Sequence, residues 1–366
     1  MLKTSIPQGA QYLRFSRFHN DCFAVAGFDH ESWRHSGSVS IFHVGQDAIS
    51  NIGGISVESA TWEVDWHPSN HELLFTASHN SLLGLWNVSR NQKIFQKRTD
   101  GSAVLSVSVS EIDSELLLTS SESGRSFIWR VSPASCELSG QFAEHSRSVV
   151  KSRWNVNKGC VFGSASLDGL VKIWDVRQSA RSVATLVDSS SSFPLSTLEW
   201  ITDSDHLLAS GSQAGHLFLW DTRNASRPLA YRVCHEGAVS SLCAMTSFPH
   251  LLTTTGADGL VRIWSVARST IDFEFEHGFL AKQGRCLSCD VDPCVRSRTT
   301  TDPVVVAGSS DGTVLAARLS EMTRISENDA GKIMKVELPQ PRKTIDADAF
   351  LWIRRNEPAP AVHSNI

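Results

Sequence analysis

Tyrosine and methionine are scarce in this chain of 366 residues, which has 2 Tyr and 4 Met. No run of eighteen apolar residues occurs, so the sequence offers no ordinary membrane-spanning helix. The first fifteen residues lack the apolar segment of a secretory signal. The 34 Lys and Arg residues do not outnumber the 38 Asp and Glu residues, which gives no argument for nucleic acid as a ligand. We therefore expect protein partners, with no nucleic acid and no membrane insertion.

Catalytic signatures are also missing. The sequence has no phosphate-binding GxxxxGK loop, no GxSxG nucleophile turn and no HExxH zinc helix. No carboxylates are clustered in a way that pairs an acid with a base. We therefore expect a protein that is not an enzyme, with no catalytic residue and no cofactor.

The cysteines form no disulfide framework, which favours a reducing compartment. They lie at positions 22, 136, 160, 234, 243, 286, 289 and 294. The cluster of Cys286, Cys289 and Cys294 is the one candidate for a metal site, but zinc needs four ligands and only His277 lies close by. We expect no metal. Cys286 and Cys289 are expected to be core residues of one strand that point to opposite faces, because their spacing is odd.

What the sequence does have is a recurring hairpin. Its clearest copy spans residues 164–177, SASLDGLVKIWDVR, where two strand-like runs flank an Asp-Gly turn. Asp-Gly between such runs is a strong hairpin signal, because the tight turn needs residues that tolerate positive φ. The closing aromatic or its substitute recurs at Phe42, Trp86, Trp129, Trp174, Trp220, Trp264 and Ala317. The first five intervals are 43 to 46 residues long, and the last is 53.

A period in the forties with a Trp-Asp ending resembles that of the WD-repeat family, which places four strands in each propeller blade. The repeats therefore predict an all-β fold, a seven-bladed WD-repeat β-propeller of four-stranded antiparallel blades, over residues 1–319. Each closing aromatic is expected to pack against the neighbouring blade.

The two ends of the propeller must meet, because an unpaired edge strand invites aggregation. Either Met1–Ile6 or Ile333–Leu338 is expected to supply the outer strand of the seventh blade. Residues 320–366 are predicted to be a C-terminal extension, part of which is a candidate for closing that blade, and its end from Pro358 is predicted to be disordered.

Two units carry a histidine 29 residues before the closing tryptophan. With an aspartate in the turn, these residues resemble the internal hydrogen-bond set of WD repeats, which joins His, Ser or Thr, Asp and Trp. We interpret them as structural braces, because buried polar groups must be paired. They are His145, Asp168 and Trp174 in the fourth unit, and His235, Asp258 and Trp264 in the sixth.

A second resemblance covers residues 2–264. The run YLRFSRF from Tyr12, the run FAVA from Phe23 and the long turn before Gly37 look like the first blade of the receptor family for the type-2 peroxisomal targeting signal. The segments ending at Arg177 and Asn224 are similar to its fourth and fifth blades. The resemblance implies a cytoplasmic receptor that binds an N-terminal targeting peptide with Arg-Leu and His-Leu. It also implies an import co-receptor and cycling to peroxisomes.

The arginine of such a peptide needs acidic partners. The resemblance implies Glu63, Glu58 and Glu122 as peptide-binding candidates on one rim of the ring. Taken by itself, Glu63 is expected to be a solvated rim residue. Ala103 and Pro194 stand where that family has acids, which is a departure from its pattern.

Two other functions stay open. WDxR boxes in successive repeats resemble those of the substrate receptors of the cullin-4 ubiquitin ligase, which implies adaptor contacts by Arg177 and Arg223. A closed ring of loops is also a general platform for protein segments, which predicts a scaffold subunit of a multiprotein complex.

Overall fold

The computed structural model of the protein describes residues 1–19, 21–28, 36–132, 135–178, 180–188, 193–246, 248–267, 272–280, 285–292 and 303–319. These residues form seven sheets of four antiparallel strands each, with no helix among the elements. The predicted all-β fold of seven four-stranded blades is therefore confirmed. Within the described ranges, no helix has the length and apolar content to cross a membrane. The extension 320–366, including Ile333–Leu338, lies outside these ranges, and its boundary stays a prediction.

Each blade runs from an inner first strand to an outer fourth strand. The strands of the first four blades are β2 (Gly9–Phe15), β3 (Cys22–Phe28), β4 (Gly37–Val44) and β5 (Ile49–Val57); β6 (Thr61–Trp66), β7 (Leu73–Ser78), β8 (Leu82–Asn87) and β9 (Gln92–Arg98); β10 (Val104–Val109), β11 (Leu116–Ser121), β12 (Ser126–Val131) and β13 (Cys136–Phe142); β14 (Val149–Trp154), β15 (Val161–Ser166), β16 (Val171–Asp175) and β17 (Ala184–Leu186). The fifth and sixth blades contain β18 (Leu195–Trp200), β19 (Leu207–Ser212), β20 (His216–Asp221) and β21 (Ala230–Val233); β22 (Val239–Ala244), β23 (Leu251–Gly256), β24 (Leu260–Ala267) and β25 (Asp272–Leu280). The seventh contains β26 (Cys286–Val291), β27 (Val304–Ser309), β28 (Thr313–Arg318) and β1 (Leu2–Ser5).

The ring closes through the N-terminal strand. Strand β1 pairs antiparallel with β28, from Leu2 opposite Ala316 to Ser5 opposite Thr313. Two segments were predicted as candidates for the outer strand of the seventh blade, and the structure shows that Met1–Ile6 supplies it. Gly312 makes the approach possible: its φ is +80°, and a Cβ at this position would collide with the Ile6 carbonyl oxygen. The first strand of each blade contacts those of both neighbouring blades, β26 and β2 included.

The seams between blades are built on the third-strand aromatics. Trp174 shares an apolar cluster with Leu118 and Phe142 of the preceding blade, and Trp220 shares one with Ile173 of the blade before it. The predicted packing against a neighbouring blade is therefore confirmed. The indole nitrogens donate to a hydroxyl ten residues earlier, over 2.8 to 3.1 Å, in the pairs Trp86–Thr76, Trp129–Thr119, Trp174–Ser164, Trp220–Ser210 and Trp264–Thr254.

A β-bulge recurs near the start of every first strand, where the register shifts by one residue. The extra residue reverses the faces of the positions that follow it. In β26 it lies between Cys286 and Ser288, so Cys286 and Cys289 pack in the same core cluster between the sixth and seventh blades. The expectation that these thiols point to opposite faces is therefore wrong.

Candidate binding faces and the central channel

The antiparallel strands divide the loops between two faces of the ring. The turns between second and third strands and the connections from one blade to the next lie on one face, here called the upper face. The turns between first and second strands and between third and fourth strands lie on the other, the lower face. Loops held by such a rigid ring are well placed for binding.

The upper face is acidic. Carboxylates in its described loops are Glu58, Asp100, Glu122, Glu144, Asp188, Glu236 and Asp311, whereas those of Asp168 and Asp258 are buried against His145 and His235. Basic residues in the same loops are Arg125, Arg147 and Arg285. The lower-face loops are more balanced in charge, since they include Arg17, Arg90, Lys158, Arg177, Arg181, Arg223 and Arg227. A cationic partner is therefore complementary to the upper face rather than to the lower one.

Glu58 and Glu122 lie on this upper face and are exposed to solvent. Glu58 follows β5 and its carboxylate lies 2.9 Å from the Lys93 ammonium. Glu122 begins the turn after β11, and its amide nitrogen donates to the carbonyl oxygen of Ala103. The structure thus brings both candidates to one face of the ring; their role in peptide binding stays a prediction.

Glu63 is not on the rim. It is 1% exposed, and its carboxylate lies against two cations from the fourth blade, Lys151 at 2.9 Å and Arg153. The expectation of a solvated position is wrong because Glu63 follows the bulge of β6 and turns into the central channel. Burial alone would raise the pKa of Glu63, but the charges of Arg153 and Lys151 hold it below its usual value.

Four residues form what we call the channel cluster: Tyr12, Glu63, Lys151 and Arg153. All are buried. The Arg153 guanidinium donates to the Tyr12 hydroxyl over 2.7 Å and to Glu63, and Lys151 Nζ lies 4.4 Å from the centre of the Tyr12 ring. The cluster therefore joins the first, second and fourth blades across the channel.

A second layer of charges lies below this cluster. Arg14 contacts Asp65 of the next blade at 3.2 Å, and Arg153 contacts Glu199 of the next blade at 3.5 Å. Asp65 also accepts a hydrogen bond from the Val109 amide nitrogen of the third blade, over 2.9 Å. These charged side chains of the first strands pair with one another inside the channel. Each pair therefore joins two neighbouring blades.

The histidine braces are present in both predicted units. His145 contacts Asp168 and the Ser164 hydroxyl, each at 2.8 Å, and Ser164 accepts the hydrogen bond from Trp174. His235 contacts Asp258 at 2.9 Å and the Thr254 hydroxyl at 2.9 Å, and Thr254 accepts from Trp264. Each chain of bonds joins a blade connection on the upper face to the third strand beneath it.

Arg177 and Arg223 lie on the lower face in equivalent positions. The Arg177 guanidinium donates to both carboxylate oxygens of Asp175, over 3.0 and 2.7 Å, and Arg223 does the same to Asp221 over 2.9 and 2.6 Å. The hydrogen bonds from Arg177 lower the pKa of Asp175 to about 2. Both arginine side chains stay about two-thirds exposed, at 69% and 67%. Their outer edges face solvent in a fixed orientation.

The cysteines of the described chain are free thiols, and most are buried. Burial raises the pKa of Cys243 and Cys289 well above the usual value. Among the described residues, no three His, Cys, Asp or Glu side chains are placed to hold a metal ion. Cys294 and the His277 side chain lie outside what the structure describes.

Two segments match the family model described as WD domain, G-beta repeat, namely residues 136–175 and 227–265. They span the repeats of the fourth and sixth blades, which carry the complete histidine braces.

Several curated relatives are similar at low identity. The protein transport protein SEC31 of Saccharomyces cerevisiae is 24% identical over 237 residues, which are 60% of this chain and 18% of that protein. The histone-binding protein MSI1 of the same yeast is 23% identical over 56% of this chain and 50% of its own length. The peroxisomal targeting signal 2 receptor of Schizosaccharomyces pombe is 22% identical over 72% of this chain and 84% of that protein. The chain thus spans less than a fifth of SEC31 and half of MSI1.

Among solved structures, a chain of the crystal structure of the mitotic checkpoint complex matches with a TM-score of 0.69 at 19% sequence identity. The match covers 87% of this chain and 93% of that one, and it supports the fold alone. The seven closed blades show a seven-bladed β-propeller fold, and the two matched segments show that this chain carries WD repeats in its fourth and sixth blades.

Proposed function

We propose that this propeller is a non-enzymatic receptor for a short cationic protein segment, of the class of the type-2 peroxisomal targeting signal. In this proposal it acts in the cytoplasm, together with an import co-receptor. The observation that carries the proposal is the extent of the match to the fission-yeast receptor, which takes in 84% of that protein and 72% of this chain. The SEC31 match, by contrast, takes in 18% of that protein.

The charge of the upper face supports the same proposal. An arginine in the targeting segment needs a carboxylate as its partner, and charge-assisted hydrogen bonds of this kind are stronger than neutral ones. Glu63 is 1% exposed and its carboxylate is held inside the channel by Lys151 and Arg153, so a peptide on the upper face cannot reach it. The exposed carboxylates of Glu58 and Glu122 are the contacts we propose.

The test is the binding of a fluorescent peptide with the Arg-Leu and His-Leu pattern, measured by anisotropy. We expect Glu58→Gln with Glu122→Gln to weaken binding by about tenfold or more, because each lost charge-assisted bond is worth about 1 kcal/mol or more. The control is Glu115→Gln on the lower face, because Glu115 is exposed to the same extent as Glu58 (57% and 58%) and is likewise paired with a cation, Arg130. A peptide that binds no better than its arginine-to-alanine version, or equal losses in the control, would overturn the proposal.

A second candidate function is supported by the lower face. Arg177 and Arg223 are exposed, and each is held by its own aspartate, which suits a docking surface for the cullin-4 ligase adaptor. Co-purification with that adaptor should be lost in Arg177→Ala with Arg223→Ala. It should persist in Arg90→Ala, another lower-face arginine, and in the upper-face double variant. Failure of the purified adaptor to bind the unmodified chain would reject this candidate.

A further inference from the structure

The lower face has a cavity of about 380 Å³ at the seam between the first and second blades. It lies between β5, the outer strand of the first blade, and two turns of the second blade, one after β6 and one after β8. Volumes of about 300 Å³ and more are typical of ligand pockets in proteins. Its described lining includes neither the upper-face carboxylates nor any residue of the channel cluster, so it is a separate place on the ring.

Two small residues leave this space open. Ser89 is the third residue after the closing tryptophan, which is the position of Arg177 in the fourth blade and of Arg223 in the fifth. Across the cavity, Gly53 has no side chain, and an added Cβ there would meet no atom within 4 Å. The seam therefore has room for a side chain that comes from another molecule.

The wall of the cavity is apolar and rich in rings. Ile41, Val88 and the edge of the Trp66 indole line its inner part. At the outer side, the imidazole rings of His19 and His71 lie edge to face with their centres 4.9 Å apart. Rings arranged in this way offer both faces and edges to a further aromatic ring.

The polar groups of the lining are hydroxyl, amide, thiol and imidazole groups. Ser89 and Asn91 are exposed at the mouth and offer a hydroxyl and an amide for hydrogen bonds. The described lining has no Asp, Glu, Lys or Arg side chain. A cationic side chain would find no opposite charge in the cavity, and a carboxylate would lose its hydration against the apolar inner wall. The lining therefore suits an uncharged aromatic ring that carries one polar group.

The edge of β5 beside the cavity is suited to a protein segment. Ile52 is the extra residue of a β-bulge, since Ile41 pairs with Gly53 and Phe42 with Asn51. Its side chain is 59% exposed at the mouth of the cavity. Among the strands that the structure describes, none pairs with the far edge of β5. An extended segment can lie along this edge and place one of its side chains in the cavity.

We propose that this cavity is a docking site for a protein segment, which inserts one tryptophan or tyrosine side chain between the first and second blades. Such side chains are common anchors of protein interfaces, because they bury a large area and keep one polar group. The ring packs against the histidine pair and Val88, and its polar group bonds to Ser89 or Asn91. The site is on the opposite face from Glu58 and Glu122, so it does not depend on the targeting peptide.

The test is methyl NMR of the full chain labelled at isoleucine, titrated with the peptide Gly-Ser-Trp-Ser-Gly. We expect saturable shifts of the Ile41 and Ile52 methyl groups, which line the cavity. Ile112 is the internal control, because it is also 59% exposed but lies in a lower-face turn of the third blade. The tyrosine version of the peptide should act alike, whereas the leucine, arginine and glutamate versions should bind several-fold more weakly.

Ser89→Arg should abolish these shifts, because it fills the mouth of the cavity with a residue that the fourth and fifth blades carry at the same position. Ser132→Arg is the matched control, since Ser132 holds the equivalent position in the third blade, and it should leave binding unchanged. Equal shifts at Ile112, unchanged binding in Ser89→Arg, or a leucine or glutamate peptide that binds as tightly would overturn the proposal.

N-acetyltryptophanamide separates a protein segment from a small aromatic molecule as the occupant. We expect the peptide to bind several-fold more tightly than this amide, because only the peptide has a backbone that reaches along β5. Equal affinities would overturn the choice of a protein segment. If Ser89→Arg does not fold, the peptide series on the unmodified chain decides the question. Loss of targeting-peptide binding on the upper face would leave all of these results unchanged.

Discussion

Asp258 and Asp168 occupy the same place in two repeats but have different neighbours. Asp168 contacts His145, whereas Asp258 contacts His235 and also the Arg262 guanidinium at 3.0 Å. Burial alone would raise the pKa of Asp258. The hydrogen bond from His235 and the charge of Arg262 more than offset that effect and lower the pKa to about 2. The sixth blade thus keeps a buried negative charge that is paired with His235 and Arg262.

Replacing Asp258 by asparagine should lower the free energy of unfolding by about 1–3 kcal/mol at neutral pH, because His235 and Arg262 lose a charged partner. The pKa is lower in the folded state than in the unfolded one, so the stabilisation is present above about pH 4 and is lost as the pH falls through about 2. Urea unfolding at several pH values should therefore show the two proteins converging in acid. Asp311→Asn, in the equivalent turn of the seventh blade, is the control and should cost less. Equal costs for both variants, or a gap that does not narrow in acid, would contradict this explanation.

At the scale of single strands, the hairpins are predictable because their signals are local. The alternation of Val171 and Ile173 with polar or outward residues, and the Asp168-Gly169 turn, place β15 and β16 within a few residues of where the structure has them. The closing tryptophans are equally predictable, since the same contact recurs at each period. Short-range patterns therefore determine the blades and their number.

The bulges are not visible in the pattern, and two expectations failed because of them. One extra residue at the start of β26 places Cys286 and Cys289 on one face, and the equivalent residue in β6 turns Glu63 inward. A period-two pattern carries no sign of where such a residue is inserted. The faces of the first strands could therefore not be predicted from the sequence.

The channel cluster was missed for a different reason. Glu63 and Lys151 are 88 residues apart, and only closure of the ring brings them together. The signal was present as charges in otherwise apolar first strands, Glu63 and Asp65 in β6 and Lys151 and Arg153 in β14. In an ordinary sheet, a strand face with polar side chains is exposed to solvent. In this ring, the polar side chains of the first strands face the channel and the neighbouring blade.

At the scale of the whole molecule, four residues near the N-terminus, Leu2–Ser5, close the ring. Strand β1 is the outer strand of a blade whose other three strands come from the far end of the propeller. The Ile6 amide nitrogen also donates to the Gly312 carbonyl oxygen over 2.9 Å. Because every blade packs on two neighbours, loss of this strand removes a contact that holds both ends of the array.

Thr4→Pro tests the role of this strand. Thr4 lies opposite Val314 of β28. Proline at this position removes a backbone N–H and clashes with the paired strand. We expect the melting temperature to fall by about 4 °C or more, with aggregation through the uncovered edge of β28. Glu137→Pro, in the outer strand of the third blade opposite Arg130, is the control, because it damages a blade that does not join the ends.

A synthetic peptide of residues 1–8 should restore stability to a chain that lacks them. If the peptide has no effect and the two proline variants melt alike, the N-terminal strand is one outer strand among seven and not the closure of the ring.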